Sequence, residues 1–234
     1  MSEAKLSERD RLKQEAAEAA VALIETGMFV GLGTGTTAAF AVAALGRRVR
    51  DGLKVAAIPT SERTATQARE LGIPLTSFAE HQRLDLTIDG ADEVARHSLD
   101  LIKGHGGALL REKIVASASA RLVIIADGSK LVDRLGAASA VPVEVVPFGW
   151  QSTRHRLADL GAVVTPRLAG DGKLFVSGGG NVTLDCTFGA IADPPALERS
   201  IRAIVGVIDC GLFVGLASQV ILADAAGVRH LHRP

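Results

Sequence analysis

Residues 121–127, RLVIIAD, are the stretch that most restricts what this chain can fold into. Between the opening arginine and the closing aspartate every position is apolar. A strand apolar on both faces must be covered on both, as in a parallel sheet lying between layers of helices. The chain before it agrees. Leu12, Ala16, Ala19, Ala20, Leu23 and Ile24 recur at helical spacing and predict a helix over 8–25, with Ser7 and Asp10 at the separation of a capping box. MFVGLG reads as a short buried strand, AAFAVAALG as a helix, LKVAAIPT (53–60) as a strand and SERTATQARELG (61–72) as a helix between Ser61 and Gly72. A short strand is expected around Ile73 to Leu75. LDLTID then sets Leu84, Leu86 and Ile88 against Asp85, Thr87 and Asp89 with a period of two, and a helix is expected over 108–120. Strands alternating with helices argue for an α/β fold with a mostly parallel sheet and ligands at the carboxyl ends of its strands.

The pattern changes after Lys130. VPVEVVPF (141–148), GAVVTPRL, KLFVSG and NVTLDCTF are strand-like, with helices expected around Gln151–Leu160 and Pro195–Ile204. This reads as a smaller α+β domain, 133–205, inserted into a domain formed by 1–132 plus 206–234. GVIDCGLF, QVILADAAG and VRHLHRP supply returning strands, and His230 and His232 are expected in a tail without function.

Composition removes several function classes. Lysine plus arginine and aspartate plus glutamate each number 26, so there is no basic surplus to favour nucleic acid. Aromatic residues are only 3%, with no tyrosine, which disfavours base stacking on single strands. No run of about 18 uncharged apolar residues suggests a membrane span. The N-terminus, MSEAKLSERDRLKQEA, lacks the apolar stretch of a signal peptide. Cys186 and Cys210 form neither a CxxC pair nor a disulfide framework, which suits a reducing cytoplasm. The six histidines show no metal-binding spacing, so no metal is expected.

Two motifs carry chemistry. Gly31-Leu32-Gly33-Thr34-Gly35-Thr36-Thr37 joins a strand to a helix N-terminus, where backbone N–H groups, the helix dipole and threonine hydroxyls can hold an anion. The same glycines fit G-x-G-x-x-A, but the next strand ends Ile58-Pro59-Thr60-Ser61 without the acid that holds a dinucleotide ribose, and no Lys-Ser/Thr makes it an ATP loop. A phosphate pocket, a dinucleotide site and a purely structural turn stay open on these residues alone. The second motif spans Leu84 to Lys113. It contains Asp89-Gly90-Ala91-Asp92, then Lys103-Gly104-His105-Gly106-Gly107, then Glu112 early in a helix. Carboxylates that move a proton and a cation that holds a negative oxygen suit proton transfer beside a carbonyl. Taken singly, each piece is equally a strand-end turn, a loop or a solvated helix face.

Taken together and in order, GLGTGTTA, TIDGADEV, LIKGHGGALLREKI, IADGSKLV, PVEVVPF and GNVTLD resemble the type A ribose-5-phosphate isomerases over roughly residues 12–223. The resemblance implies a Rossmann-like α/β domain with a smaller α+β domain, and a cytoplasmic homodimer or homotetramer of the pentose phosphate pathway. It implies interconversion of ribose 5-phosphate and ribulose 5-phosphate through a cis-enediolate, with neither metal nor organic cofactor. By matching positions, Glu112 becomes the base, Lys103 the stabiliser of the negative oxygen, Asp89 the ring opener and Asp92 a holder of sugar hydroxyls. Thr34, Gly35, Thr36 and Thr37 with Lys13 and Lys130 become the substrate and phosphate pocket, completed by Gly90, Ala91, Gly104, His105 and Gly106. His105 departs from the glycine or arginine usual in the family and brings a titratable ring to the loop; Thr36 stands for a serine. A six-carbon sugar-phosphate isomerase, a non-catalytic sugar-phosphate sensor and a nicotinamide-dependent dehydrogenase are the competing expectations.

Overall fold

A computed structural model describes residues 7–233; residues 1–6, which carry part of the charged N-terminal stretch, and Pro234 lie outside it. In chain order the elements are α1 (Glu8–Val21), β1 (Phe29–Leu32), α2 (Thr36–Arg50), β2 (Ala56–Pro59), α3 (Glu62–Glu70), β3 (Leu86–Gly90), β4 (Glu93–Ala95) and β5 (Leu101–Ile102). Then follow α4 (Leu109–Ser117), β6 (Leu122–Asp127), a single 3-10 turn (Gly128–Lys130), β7 (Leu131–Val132), β8 (Val141–Val145), α5 (Trp150–Asp159) and β9 (Val163–Pro166). The chain closes with β10 (Val182–Thr187), α6 (Pro194–Arg202), β11 (Val207–Cys210), β12 (Leu212–Phe213), β13 (Ala217–Asp224) and β14 (Gly227–His232). Contacts group these into two compact units. The first holds the described residues up to Gly90 with Val115–Lys130 and Ala217–Arg233; the second holds Ala91–Ile114 and Leu131–Leu216. The contact grouping thus differs from the 132/133 and 205/206 boundaries read from sequence pattern, chiefly by placing residues 91–114 with the second unit.

In the first unit six strands run in the order β14-β13-β6-β3-β1-β2. All neighbours are parallel except β14, which returns antiparallel along β13. Successive Ile124 and Ile125 point to opposite faces of β6 and both are 0% exposed, so the doubly apolar run is covered on both sides. Each such side chain contributes about 1.5–3 kcal/mol on burial. Ala16, Ala17, Ala20 and Val21 of α1 and Ala41, Val42, Ala44 and Leu45 of α2 pack in one apolar cluster with Val30, Leu32, Ile88, Val123 and Ile125 of the sheet. The alanines leave little side-chain bulk between helix and sheet. Ser7 caps α1, accepting from the Asp10 amide at 3.1 Å.

The second unit contains an antiparallel sheet, β11-β8-β10-β9, and a small mixed sheet, β12-β5-β4-β7. Val143, Val145, Leu157, Leu184, Ile201 and Leu212 are among its buried core. Cys186 and Cys210 are free thiols buried there, and burial pushes their pKa values up to about 12 and about 11.

Several expectations change. The first helix ends at Val21, not 25, and the strand expected from residue 53 begins at Ala56. Residues 73–75 form only a bridge from Leu75 to Ala57, and KLFVSG contributes only the bridges Leu168–Leu174 and Val176–Val182. His230 and His232 lie in β14, where the His230 ring bonds Gln219 at 2.8 Å, so they are sheet residues and not a tail. The period of two in LDLTID does not mark one wet face: Leu86, Thr87, Ile88 and Asp89 are all buried. Thr87 is satisfied by Ser119, its hydroxyl 2.6 Å away, and Asp89 by backbone amides.

Candidate functional site

The parallel sheet has its topological switch where the chain leaves β1 for β2 on one side and reaches β3 on the other. Loops following the strands that flank such a point form a crevice suited to ligands. Here those loops are Gly33–Gly35 after β1 and the end of β3 at Asp89-Gly90. The Gly33 amide donates to the Ile88 carbonyl at 2.9 Å, the Thr34 amide to Asp89 Oδ1 at 3.2 Å and the Gly90 amide to the same oxygen at 2.7 Å. The approach is so close that a Cβ on Gly33 would lie 2.0 Å from Asp89 Oδ1 and 2.7 Å from its Cα. Only glycine fits.

Gly35 is the N-cap of α2 with φ 124°, a conformation available to glycine, and no side chain caps the helix. The first turn carries no acidic residue. Its amides therefore remain available to an anion, with the dipole of a 15-residue helix behind them. Thr36 is exposed and Thr37 half-buried. Thr34 is different: its hydroxyl meets Thr60 at 2.7 Å, Ser61 at 2.8 Å and Thr64 at 3.3 Å, bracing the loop. This hydroxyl cluster occupies the end of β2, where a dinucleotide site needs a carboxylate, so the residues present do not suit a dinucleotide.

Lys13 lies 3.0 Å from Asp10 within its own helix, and that bond holds the Asp10 carboxyl below its usual range. None of the other expected site residues is its partner in this geometry. Lys130 ends the turn that follows β6. Burial alone would raise the carboxyl of Asp127, at the start of that turn, but hydrogen bonds from the Ser129 hydroxyl and amide and from Arg9 outweigh it and lower the pKa. Asp127 was not singled out from sequence, although it ends the very run that announced the sheet.

In the second unit, Lys103 Nζ stands 3.3 Å from Glu112 Oε2, and the two side chains are only 3% and 2% exposed. Glu112 is thus no solvated helix residue. Lys103 leaves β5 with its amide bonded to the Gly211 carbonyl at 2.9 Å, and its ammonium lies 5.5 Å from the centre of the Phe213 ring. Lys113, next to Glu112 on α4, approaches the same ring at 4.9 Å and pairs with Asp209 at 2.7 Å and Glu198 at 3.1 Å. A buried carboxylate and two buried ammonium groups around one aromatic ring form a preorganised field in a dry setting. Sequence reasoning missed Lys113, Asp209 and Phe213; the first is far in the chain from the other two and meets them only in the folded structure.

Asp92 accepts from the His105 amide at 3.1 Å, and the His105 ring is 3.8 Å from its other oxygen. Gly104 is buried with φ 102° and abuts Leu109, whereas His105 and Gly106 are exposed. Glu93, beside Asp92, accepts from the amides of Gly136, Ala138 and Ser139 at 2.6, 2.9 and 2.6 Å and fixes that loop. Ala91 is half-buried. Among the described residues, Glu198, Asp209 and Cys210 bring possible metal-ligand atoms within 4.8 Å of one another. The Lys113 ammonium pairs with both carboxylates and Arg202 Nε lies 3.9 Å from Asp209, so two cations face the two carboxylates and the group suits an ion-pair cluster better than a metal cation. No helix among the described residues is long and apolar enough to cross a membrane.

Residues 56–227 match the family Ribose 5-phosphate isomerase A (phosphoriboisomerase A). A protein of that name from Gloeobacter violaceus is 60% identical over 222 residues, covering 95% of this chain and 96% of its own length. The solved ribose 5-phosphate isomerase A of Methanocaldococcus jannaschii superposes with a TM-score of 0.93 at 37% identity, over 96% of this chain and all of the other. A D-ribose-5-phosphate isomerase in complex with phospho-erythronic acid superposes with a TM-score of 0.94 at 34% identity, over 97% and 100% of the two chains.

Proposed function

The chain belongs to the ribose 5-phosphate isomerase A family and is an aldose–ketose isomerase of ribose 5-phosphate and ribulose 5-phosphate; from that premise we propose how its residues divide the chemistry. Asp89 assists opening of the furanose ring. Glu112 removes the C2 proton of the open-chain aldose and returns it to C1, while the hydroxyl proton of O2 passes to O1, so that the carbonyl moves from C1 to C2. In the intermediate, the electron pair of the broken C–H bond is shared across a cis-enediolate, and the Lys103 ammonium offsets the negative oxygen. Asp92 holds sugar hydroxyls with the loop of Gly104, His105 and Gly106, next to Ala91 and Gly90. The amides of Gly35 to Thr37 and the hydroxyls of Thr36 and Thr37 hold the phosphate, in a loop braced by Thr34, together with Lys130 and with Lys13, whose ammonium keeps donors beyond its bond to Asp10.

The observation that carries this reading is the buried Lys103–Glu112 pair at 3.3 Å. A base and a cation held together away from water meet the two demands of enediolate chemistry, proton transfer and charge stabilisation. The related enzyme's complex with phospho-erythronic acid supports it, because the planar carboxylate of that acid has the shape of an enediolate end. Every step uses side chains of this chain, with neither metal nor organic cofactor. The test is ketose formation from ribose 5-phosphate by chelator-treated protein, with six-carbon sugar phosphates compared by kcat/KM. Loss of activity on chelation would overturn the metal-free chemistry, and equal use of six-carbon substrates would overturn the pentose assignment.

The reading includes a cytoplasmic homodimer or homotetramer. Buried free thiols suit a reducing compartment, and Phe148, 94% exposed, and Val205 offer apolar surface to a second copy. Light scattering of the purified protein at micromolar concentration tests the assembly; a monomer would overturn it.

A further inference from the structure

We propose that Arg167 is a positioning residue of the active site: it aims the backbone N–H groups of the glycine loop by holding the carbonyls on the other side of the same peptide planes. This rests on the reading of residues 103–107 as part of the substrate site. Arg167 follows β9 and is distant in sequence from the loop. Its Nη1 donates to the Gly104 carbonyl at 2.9 Å and to the His105 carbonyl at 3.2 Å. Its remaining edge is fixed by Asp185 of β10, through Nε at 2.9 Å and through Nη2. Phe175 lies beneath the guanidinium, 5.9 Å from its carbon to the ring centre, and the same ring presses on Gly107, where a Cβ would come within 2.4 Å. One planar cation therefore ties a sheet carboxylate, an aromatic ring and two consecutive loop carbonyls.

The consequence follows from peptide geometry. Among the described residues the peptide bonds are trans, so each C=O is antiparallel to the N–H of the next residue. With the Gly104 carbonyl turned to Arg167, the His105 N–H must face the opposite side, and there it meets Asp92 Oδ2 at 3.1 Å. With the His105 carbonyl turned the same way, the Gly106 N–H is aimed to that opposite side as well. The His105 amide thus fixes the Asp92 carboxylate, and the Gly106 amide points to the same side as a donor suited to a sugar hydroxyl oxygen. A lysine could not reproduce this, because an ammonium lacks the planar fork that spans a carboxylate and two carbonyls at once.

The test compares Arg167→Ala, Arg167→Lys and Asp185→Asn with the unsubstituted enzyme. We measure kcat and KM for ribose 5-phosphate, thermal midpoint, and amide hydrogen exchange of peptides covering 103–107. The two Arg167 variants are expected to lose about a hundredfold in kcat/KM, the effect of misplacing a reacting group by about 1 Å. Exchange at the loop should quicken while exchange in β6 stays unchanged. Asp185→Asn, which keeps the guanidinium but loosens it, should lose about tenfold. Added methylguanidinium should restore turnover to Arg167→Ala without raising its thermal midpoint. Arg167→Lys that folds and keeps kcat/KM within about twofold would overturn the proposal. So would unchanged loop exchange in a folded Arg167→Ala, a readout independent of turnover. Glu112→Gln serves as control: if it stays active, the reading of the site fails, whatever Arg167 does.

Discussion

The two regions assigned to substrate are built from different materials. The loop after β1 is made of backbone and hydroxyls: Gly33 and Gly35, an uncapped helix N-terminus, and threonines braced by Thr60, Ser61 and Thr64. The region around α4 is made of buried full charges: Lys103 with Glu112, and Lys113 with Asp209 and Glu198 around Phe213. Backbone dipoles need no counter-charge, so the first region can lie empty at little cost. Buried charges must be paired at all times, so the second ties its function to its stability. A phosphate asks only to be held, whereas an enediolate is charge that appears and disappears. The second demand is the one that calls for fixed ions.

This contrast can be broken by substitution. In the charged region, Lys113→Met leaves buried Asp209 with only Arg202, 3.9 Å away, and half-buried Glu198 without its ammonium, and should cost about 3 kcal/mol in urea denaturation. Replacing Lys113, Glu198 and Asp209 together by apolar residues of similar volume should recover most of that loss. A single substitution with no effect on stability would show that the cluster is not a paired unit. In the backbone region, Gly33→Ala drives a methyl into Asp89 and should cost about 1–3 kcal/mol and about a hundredfold in kcat/KM. Unchanged kinetics would separate Asp89 from the reaction. Thr36→Ala with Thr37→Ala should raise KM about tenfold, the worth of a hydrogen bond to a charged group, and leave the thermal midpoint in place.

The smallest effect concerns Asp127, like Asp89 a buried carboxylate of the first unit. Its pKa lies below the ordinary 3.8, so its contribution is present in full above that value and is lost as pH falls through the lower, folded-state value. Asp127→Asn should therefore lower stability by less than about 1 kcal/mol at neutral pH, and the gap from the parent should close as pH falls below the ordinary carboxylate range. A gap that widens on acidification would contradict the assigned direction.

The same contrast explains what the sequence disclosed. Anion loops are local: strand, glycines, threonines and helix follow one another within a dozen residues, and the doubly apolar β6 announced the sheet that positions them. Lys103 and Glu112 share one motif, but the rest of the charged region is not local. Lys113 meets Asp209 across 96 residues, and Arg167 reaches Gly104 across 63. No spacing rule shows such pairs, and Glu112 between two basic residues looks like an ordinary solvated helix turn. Its importance entered through resemblance, and its burial through structure. The polar half of LDLTID makes the same point: Thr87 and Asp89 are buried because Ser119 and the loop amides satisfy them, which a pattern of polarity cannot reveal.

The central claim is that Glu112 carries the proton between C1 and C2. The most direct measurement is deuterium incorporation into ribose 5-phosphate and ribulose 5-phosphate in heavy water, followed by proton NMR, for the parent enzyme and Glu112→Gln. The account predicts isomerisation and carbon-bound deuterium with the parent enzyme, and both reduced about a thousandfold or more in the variant, with substrate binding retained. Exchange at the parent rate in Glu112→Gln would contradict it.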